Sequence, residues 1–121
     1  MEWNFRNGVP IYSQIVDELT MRIASHAYEP GDKLPSVRDL ALDAGVNPNT
    51  MQRALAELER QGLVYTERTS GRFVTRDETV LKQLRAKLAH GYMRDLMEKL
   101  GKIGMNQEEI SELMHNYQEE Q

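Results

Sequence analysis

The stretch Leu34-Pro-Ser-Val-Arg-Asp-Leu-Ala41 runs almost directly into Gly45-Val-Asn-Pro-Asn-Thr-Met-Gln-Arg-Ala-Leu55, and this pair constrains the fold more than anything else in the chain. Each half carries its own helix start. Ser36 with Asp39 is close to a capping box, and Asn47 is a strong cap followed by Pro48, whose fixed φ and missing N–H suit the first helical position. Gly45 between them suits the left-handed residue that ends a helix. Val37, Leu40 and Ala41 give the first of these helices a buried face; Met51, Ala54, Leu55 and Leu58 do the same for the second. The second helix keeps Asn49, Thr50, Gln52 and Arg53 in its opening turns. Two short helices across a tight turn, the second studded with polar residues, have the shape of a helix-turn-helix, which fits a DNA major groove.

The flanks extend this pattern. Ile11, Ile15, Leu19 and Ile23 form an apolar stripe that predicts a helix over 9–27, with Pro10 suited to its first position. Tyr28-Glu-Pro-Gly-Asp32 is a turn, and Lys33-Leu34 suits a short edge strand. Gly62 closes the third helix. Leu63–Glu67 and Arg72–Thr75 read as strands around the hairpin loop Arg68–Gly71, which makes the whole a winged helix-turn-helix. From Asp77 the period becomes helical: Leu81, Leu84, Leu88, Tyr92, Leu96 and Leu100 recur at threes and fours, widened by Met93 and Met97. Gly101 and Gly104 interrupt it. Asn106 and Glu109 restart a helix in a capping-box arrangement, with Ile110, Leu113, Met114 and Tyr117 on one face.

The expected fold class is therefore mainly α (α+β). A winged helix-turn-helix domain over residues 1–76 precedes a two-helix C-terminal dimerisation hairpin over residues 77–121. The apolar stripe of the hairpin either folds back as core of its own chain or pairs with a second subunit. Two helices alone cannot bury both faces, which favours a homodimer.

Charge runs against a nucleic-acid partner, because the 121 residues carry a net −4 and such proteins usually show a basic footprint. The acid is concentrated in the tail. Residues 1–76 hold 9 Lys and Arg against 10 Asp and Glu, and residues 77–121 hold 6 against 9. Arg38, Arg53, Arg68, Arg72 and Arg76 can still make one basic face on a near-neutral head. The chain has no cysteine, which excludes a disulfide framework, a thiolate zinc site and a cysteine nucleophile. His26, His90 and His115 lack metal-ligand spacing, so no metal is expected. No serine sits in a nucleophile elbow and no glycine-rich loop follows a strand; neither a cofactor nor catalysis is expected. No apolar run reaches membrane-spanning length and Met1–Arg6 lacks a signal pattern, so the expected location is cytoplasmic.

Four segments carry a resemblance: Pro10-Ile-Tyr-Ser-Gln-Ile15, Tyr28-x-Pro-Gly-Asp-x-Leu-Pro-Ser-Val-Arg38, Val46-Asn-Pro-Asn-Thr50 and Phe73-Val74. Together they resemble the N-terminal domain of the GntR family of bacterial transcription regulators, continuously over residues 9–75. The short helical tail is similar to that of the YtrA-type subgroup, where it serves dimerisation. The resemblance implies a homodimeric repressor, joined through residues 77–121, on a double-stranded DNA operator with inverted half-sites. It implies that Arg38 reaches a base edge, typically guanine, and that Ser36 contacts phosphate at its helix N-terminus. It puts Asn47, Asn49, Thr50, Gln52 and Arg53 on recognition-helix positions, and Gly71 and Arg72 at the wing tip, in or along the minor groove. Thr69 departs from the family, which commonly has a first wing glycine there.

Side-chain chemistry agrees: Arg forks onto guanine O6 and N7, and Asn or Gln fits adenine N6 and N7. Each residue also has a plainer role. Arg38 can pair with Asp39 or Asp43, Asn47 is first a helix cap, and Arg53 beside inward-facing Ala54 suits a phosphate. A winged helix used as a protein-binding adaptor is the alternative function, consistent with the acidic total. The residues mark out no dedicated effector pocket.

Overall fold

In the computed structural model, which describes residues 2–120, the stripe Ile15, Leu19 and Ile23 forms the buried face of α1 (Ile11–Ala24). This helix is shorter than the expected 9–27. Pro10 precedes it as the cap rather than opening it. At the other end Ser25 is the cap and His26 takes a left-handed φ of 63°, with Tyr28 N–H donating to the Arg22 carbonyl at 3.1 Å. A histidine in that conformation carries little sequence signal, since glycine is the usual marker.

The helix-turn-helix follows as α2 (Val37–Ala44) and α3 (Pro48–Arg60). Both caps form as expected. Ser36 Oγ accepts from Asp39 N–H at 3.1 Å, and Asn47 Oδ1 accepts from Asn49 N–H at 2.7 Å. Gly45, at φ 71°, turns the chain between the helices. α3 packs on both α1 and α2. Its inward residues Met51, Ala54, Leu55 and Leu58 are buried along with the α1 stripe and with Leu40 and Ala41 of α2.

β1 (Val64–Glu67) and β2 (Gly71–Val74) pair antiparallel, from Val64 opposite Val74 to Glu67 opposite Gly71. The Tyr65 and Phe73 rings stack at 5.6 Å across the pair. Lys33 bridges to Phe73, and Leu34 N–H donates to the Arg72 carbonyl at 2.8 Å, so the expected edge strand is present as a single bridge. The turn itself is Arg68-Thr69-Ser70. Gly71, expected in the loop, instead opens β2 one residue ahead of Arg72, because it already pairs with Glu67.

α4 (Glu78–Lys102) starts at an Asp77 cap, whose Oδ1 accepts from Thr79 N–H at 2.9 Å. It runs on through Gly101, contrary to the expected break. One helical glycine costs only about 1 kcal/mol relative to alanine, too little to stop a long helix. The stop comes at Gly104, with φ 86° and Met105 N–H donating to the Leu100 carbonyl at 3.1 Å. α5 (Gln107–Glu120) opens on a reciprocal capping box: Glu109 N–H donates to Asn106 Oδ1 at 2.9 Å and Asn106 N–H to Glu109 Oε1 at 3.0 Å.

The chain divides into two compact units, the first ending at Leu84 and the second starting at Arg85. The start of α4 thus belongs with the winged unit, beyond the expected boundary after residue 76, and Leu81 and Leu84 are buried there. In the second unit Met93, Leu96, Leu100, Leu113, Met114 and Tyr117 line an apolar groove of about 480 Å³. Among the described residues no helix is long and apolar enough to cross a membrane.

Leu55 is 1% exposed and Leu42 is 75% exposed. Leu55→Ala is expected to lower the unfolding free energy by about 2–5 kcal/mol in urea denaturation, and Leu42→Ala to change it by less than about 0.5 kcal/mol.

Candidate nucleic-acid interface

The amino ends of α2 and α3 carry most of the expected site. Arg38, in the first turn of α2, is exposed and makes no hydrogen bond or ion pair among the described residues. The competing partner Asp43 is engaged elsewhere, accepting the Trp3 indole N–H at 2.8 Å. Ser36 is exposed as well. Its cap uses an oxygen lone pair, which leaves the hydroxyl hydrogen free to donate. The same holds for Asn47, whose carbonyl oxygen is capped while its NH₂ stays available. Asn49 is exposed and Thr50 half-buried in the first turn of α3.

The hairpin joins this surface. Lys33, Ser36, Arg68, Ser70, Gly71 and Arg72 line an open cleft of about 380 Å³ between the start of α2 and the wing. Gly71 is favoured there by its φ of 115°; a Cβ would stand 3.1 Å from Lys33 Cε, the flexible end of an exposed side chain that can give way. Arg72 does not extend towards the tip. Its side chain turns back to α3, where Nη1 donates to Gln52 Oε1 at 3.4 Å and Nε lies 3.6 Å from Glu59 Oε1. Gln52 and Arg72, far apart in sequence, therefore meet. Arg53 lies the other way, its guanidinium carbon 4.8 Å from the centre of the Tyr12 ring on α1. That cation–π seat orients Arg53 without neutralising it.

Sequence reasoning missed Lys33 as a site residue, although it sits inside the quoted turn segment, and it noted Arg68 only as part of a basic face. It also missed Glu59, whose role depends on a wing contact that no local pattern shows. Among the described residues no group of three or more His, Cys, Asp or Glu could hold a metal ion.

Residues 11–74 match the family described as bacterial regulatory proteins, gntR family. The chain belongs to the GntR family. Within it, this regulator is 36% identical over 119 residues to the HTH-type transcriptional regulator YhcF of Bacillus subtilis, covering 98% of each chain. It is also 36% identical over 98 residues to the B. subtilis HTH-type transcriptional repressor YtrA, covering 81% of this chain and 71% of YtrA. A GntR-family regulator from Listeria monocytogenes has the same fold at a TM-score of 0.85 and 39% identity, over 93% of this chain and 98% of that one. The DNA-binding domain of AraR, solved in complex with operator ORX1, matches at a TM-score of 0.57 and 29% identity, over 62% of this chain and 96% of that domain. The short two-helix tail and the YtrA relationship make this a YtrA-type GntR protein.

Further along α3, hydrogen bonds from Arg60 and then Gln61 hold the Glu57 carboxyl at about pKa 2. Arg60 is thereby committed within its own helix. A depressed carboxylate contributes stability above its ordinary range and loses it as pH falls towards 2. Glu57 is half-buried but its partner Arg60 is largely exposed, so salt screens this contribution in part. In a side-chain NMR titration Glu57 is expected to protonate with a midpoint near 2. Arg60→Ala should move that midpoint up towards the ordinary value of about 4.3.

Proposed function

We propose that this chain, a DNA-binding transcription regulator by family, works as a homodimeric repressor on an operator with inverted half-sites. The observation that carries the reading is the unpaired Arg38 guanidinium beside Ser36 at the head of α2. A free bidentate fork is worth about 1–3 kcal/mol of discrimination on a guanine, and the adjoining helix end offers N–H donors to phosphate. In this reading Arg38 reads a guanine, Ser36 and Arg53 hold phosphates, and Asn47, Asn49, Thr50 and Gln52 face the major groove. Gly71 and Arg72 bring the hairpin alongside the neighbouring groove, with Lys33 and Arg68 adding charge in the same cleft.

Dimerisation is supported by the tail. Tyr92, Met93, Leu96, Leu113 and Tyr117 remain between 41% and 61% exposed, an apolar surface that a second copy would cover. Residues 77–121 would then hold two reading heads in two-fold symmetry, which an inverted repeat matches. Repression is supported by the relationship to the repressor YtrA and by a reading head that would occlude whatever sequence it occupies. Acting on chromosomal DNA, the protein would work in the cytoplasm.

Selection from randomised duplexes at about physiological salt is expected to recover an inverted repeat, and sedimentation of the same sample a dimer. Arg38→Ala should abolish preference at one base pair per half-site. Arg53→Ala should weaken all sequences alike and reduce the salt slope by about 1. A stable dimer that enriches no sequence would favour the protein-binding adaptor instead.

A further inference from the structure

The contact between Gln52 and Arg72 bears on which base α3 selects. A glutamine free on a recognition helix has a carbonyl oxygen and an NH₂ group side by side. That pair fits adenine, which offers N7 as acceptor and N6 as donor. In this structure Arg72 Nη1 donates to the carbonyl oxygen of Gln52, which takes one of its two lone pairs and turns that oxygen towards the wing. Guanidinium has only donors, so the atom it meets must be the amide oxygen, which fixes the orientation of the amide.

Arg72 is itself held in place. Its side chain is 20% exposed, and Nε, buried without a hydrogen bond, stands in ion-pair range of Glu59 Oε1. The same Glu59 oxygen accepts the Thr66 hydroxyl at 2.6 Å. Arg72, opposite Thr66 of β1, is thus held against α3. The wing, through one arginine, limits what an exposed residue of α3 can offer to DNA.

We propose that Arg72 sets the base preference of Gln52 by holding its carbonyl oxygen towards the wing, so that Gln52 leads with its NH₂ and favours guanine over adenine. Guanine is the base whose major-groove edge offers two acceptors and no donor, O6 and N7. The inference rests on the DNA-reading function proposed above. It assigns to Arg72 a role as specificity-determining residue that acts through Gln52.

The test is selection from randomised duplexes with the full-length wild-type chain, Gln52→Ala, Gln52→Glu and Arg72→Leu. Gln52→Ala identifies the base pair that depends on Gln52, as the one whose preference disappears. In the wild type that pair is expected to be G·C, preferred on the order of tenfold. Arg72→Leu frees the carbonyl oxygen and should shift the same pair to A·T, while the pair lost in Arg38→Ala stays unchanged. Gln52→Glu serves as a second test that leaves the wing intact. A carboxylate can still accept from Arg72 but cannot donate to guanine, so its guanine preference should vanish.

An A·T pair at the Gln52-dependent position of the wild type would overturn the proposal while leaving the DNA-reading function standing. So would guanine preference retained in Gln52→Glu, or no position that responds to Gln52→Ala. No enriched sequence in the wild type would overturn both.

Discussion

The packing of α1 against α3 is the constraint on which the remaining structure depends. Ile15, Leu19 and Ile23 meet a helix whose Met51, Ala54, Leu55 and Leu58 are all buried, so the rotation of α3 about its own axis is fixed from behind. A fixed rotation decides which residues face outward. Asn49, Gln52 and Arg53 stand on the solvent side because the four apolar positions occupy the other one. The N-terminal arm reinforces the same frame. Arg22, 4% exposed on α1, bonds Glu18 and the Glu2 carbonyl and lies 4.2 Å from the Trp3 ring centre. Trp3 in turn holds Asp43 at the end of α2. Gln14 closes the arm with bonds to the backbone of Arg6 and Val9. A buried guanidinium is tolerated only with its partners in place, so arm, α1 and α2 depend on one another.

The local chemistry that builds the elements also decides what the surface offers. Caps consume acceptors: the Ser36 hydroxyl oxygen and the Asn47 carbonyl oxygen each take a backbone N–H. The wing contact turns another, the Gln52 carbonyl oxygen, towards Arg72. What remains on this surface is rich in donors, from the Ser36 hydroxyl to the Arg38 fork. Donors are what phosphate oxygens and the guanine edge require. Three of the nearby acids are engaged as well: Asp43 with Trp3, Glu57 with Arg60, and Glu59 with Thr66 and Arg72. A chain of net charge −4 can therefore still present a donor-rich reading surface, because three of its nearby acids are engaged and its Arg38 is not.

Much of this was legible in the sequence, and the reasons differ by element. Caps and left-handed glycines act within a few residues, so Ser36, Gly45, Asn47 and the Asn106–Glu109 box were readable directly. The hairpin was readable from its turn, but its register was not. Register is set by pairing along both strands, and it draws Gly71 out of the loop into β2. The end of α1 was not legible, because His26, not a glycine, takes the left-handed position. Gly101 was over-read as a stop, where helix propensity costs too little to override the turns on either side. The links between distant residues, Trp3 to Asp43 and Arg72 to Gln52, were invisible, since each depends on tertiary packing that brings unrelated segments together.

The central claim is that the amino ends of α2 and α3 and the wing form one preorganised DNA-reading surface on the α1–α3 frame. Backbone chemical shifts of the labelled full-length protein, followed as a selected operator duplex is added, test this most directly. The account predicts the largest changes in Ser36–Asp39, Asn47–Arg53 and Arg68–Arg72, with the buried residues of α1 nearly unmoved. Changes concentrated instead along α4 and α5, with Arg38 and Gln52 silent, would contradict it.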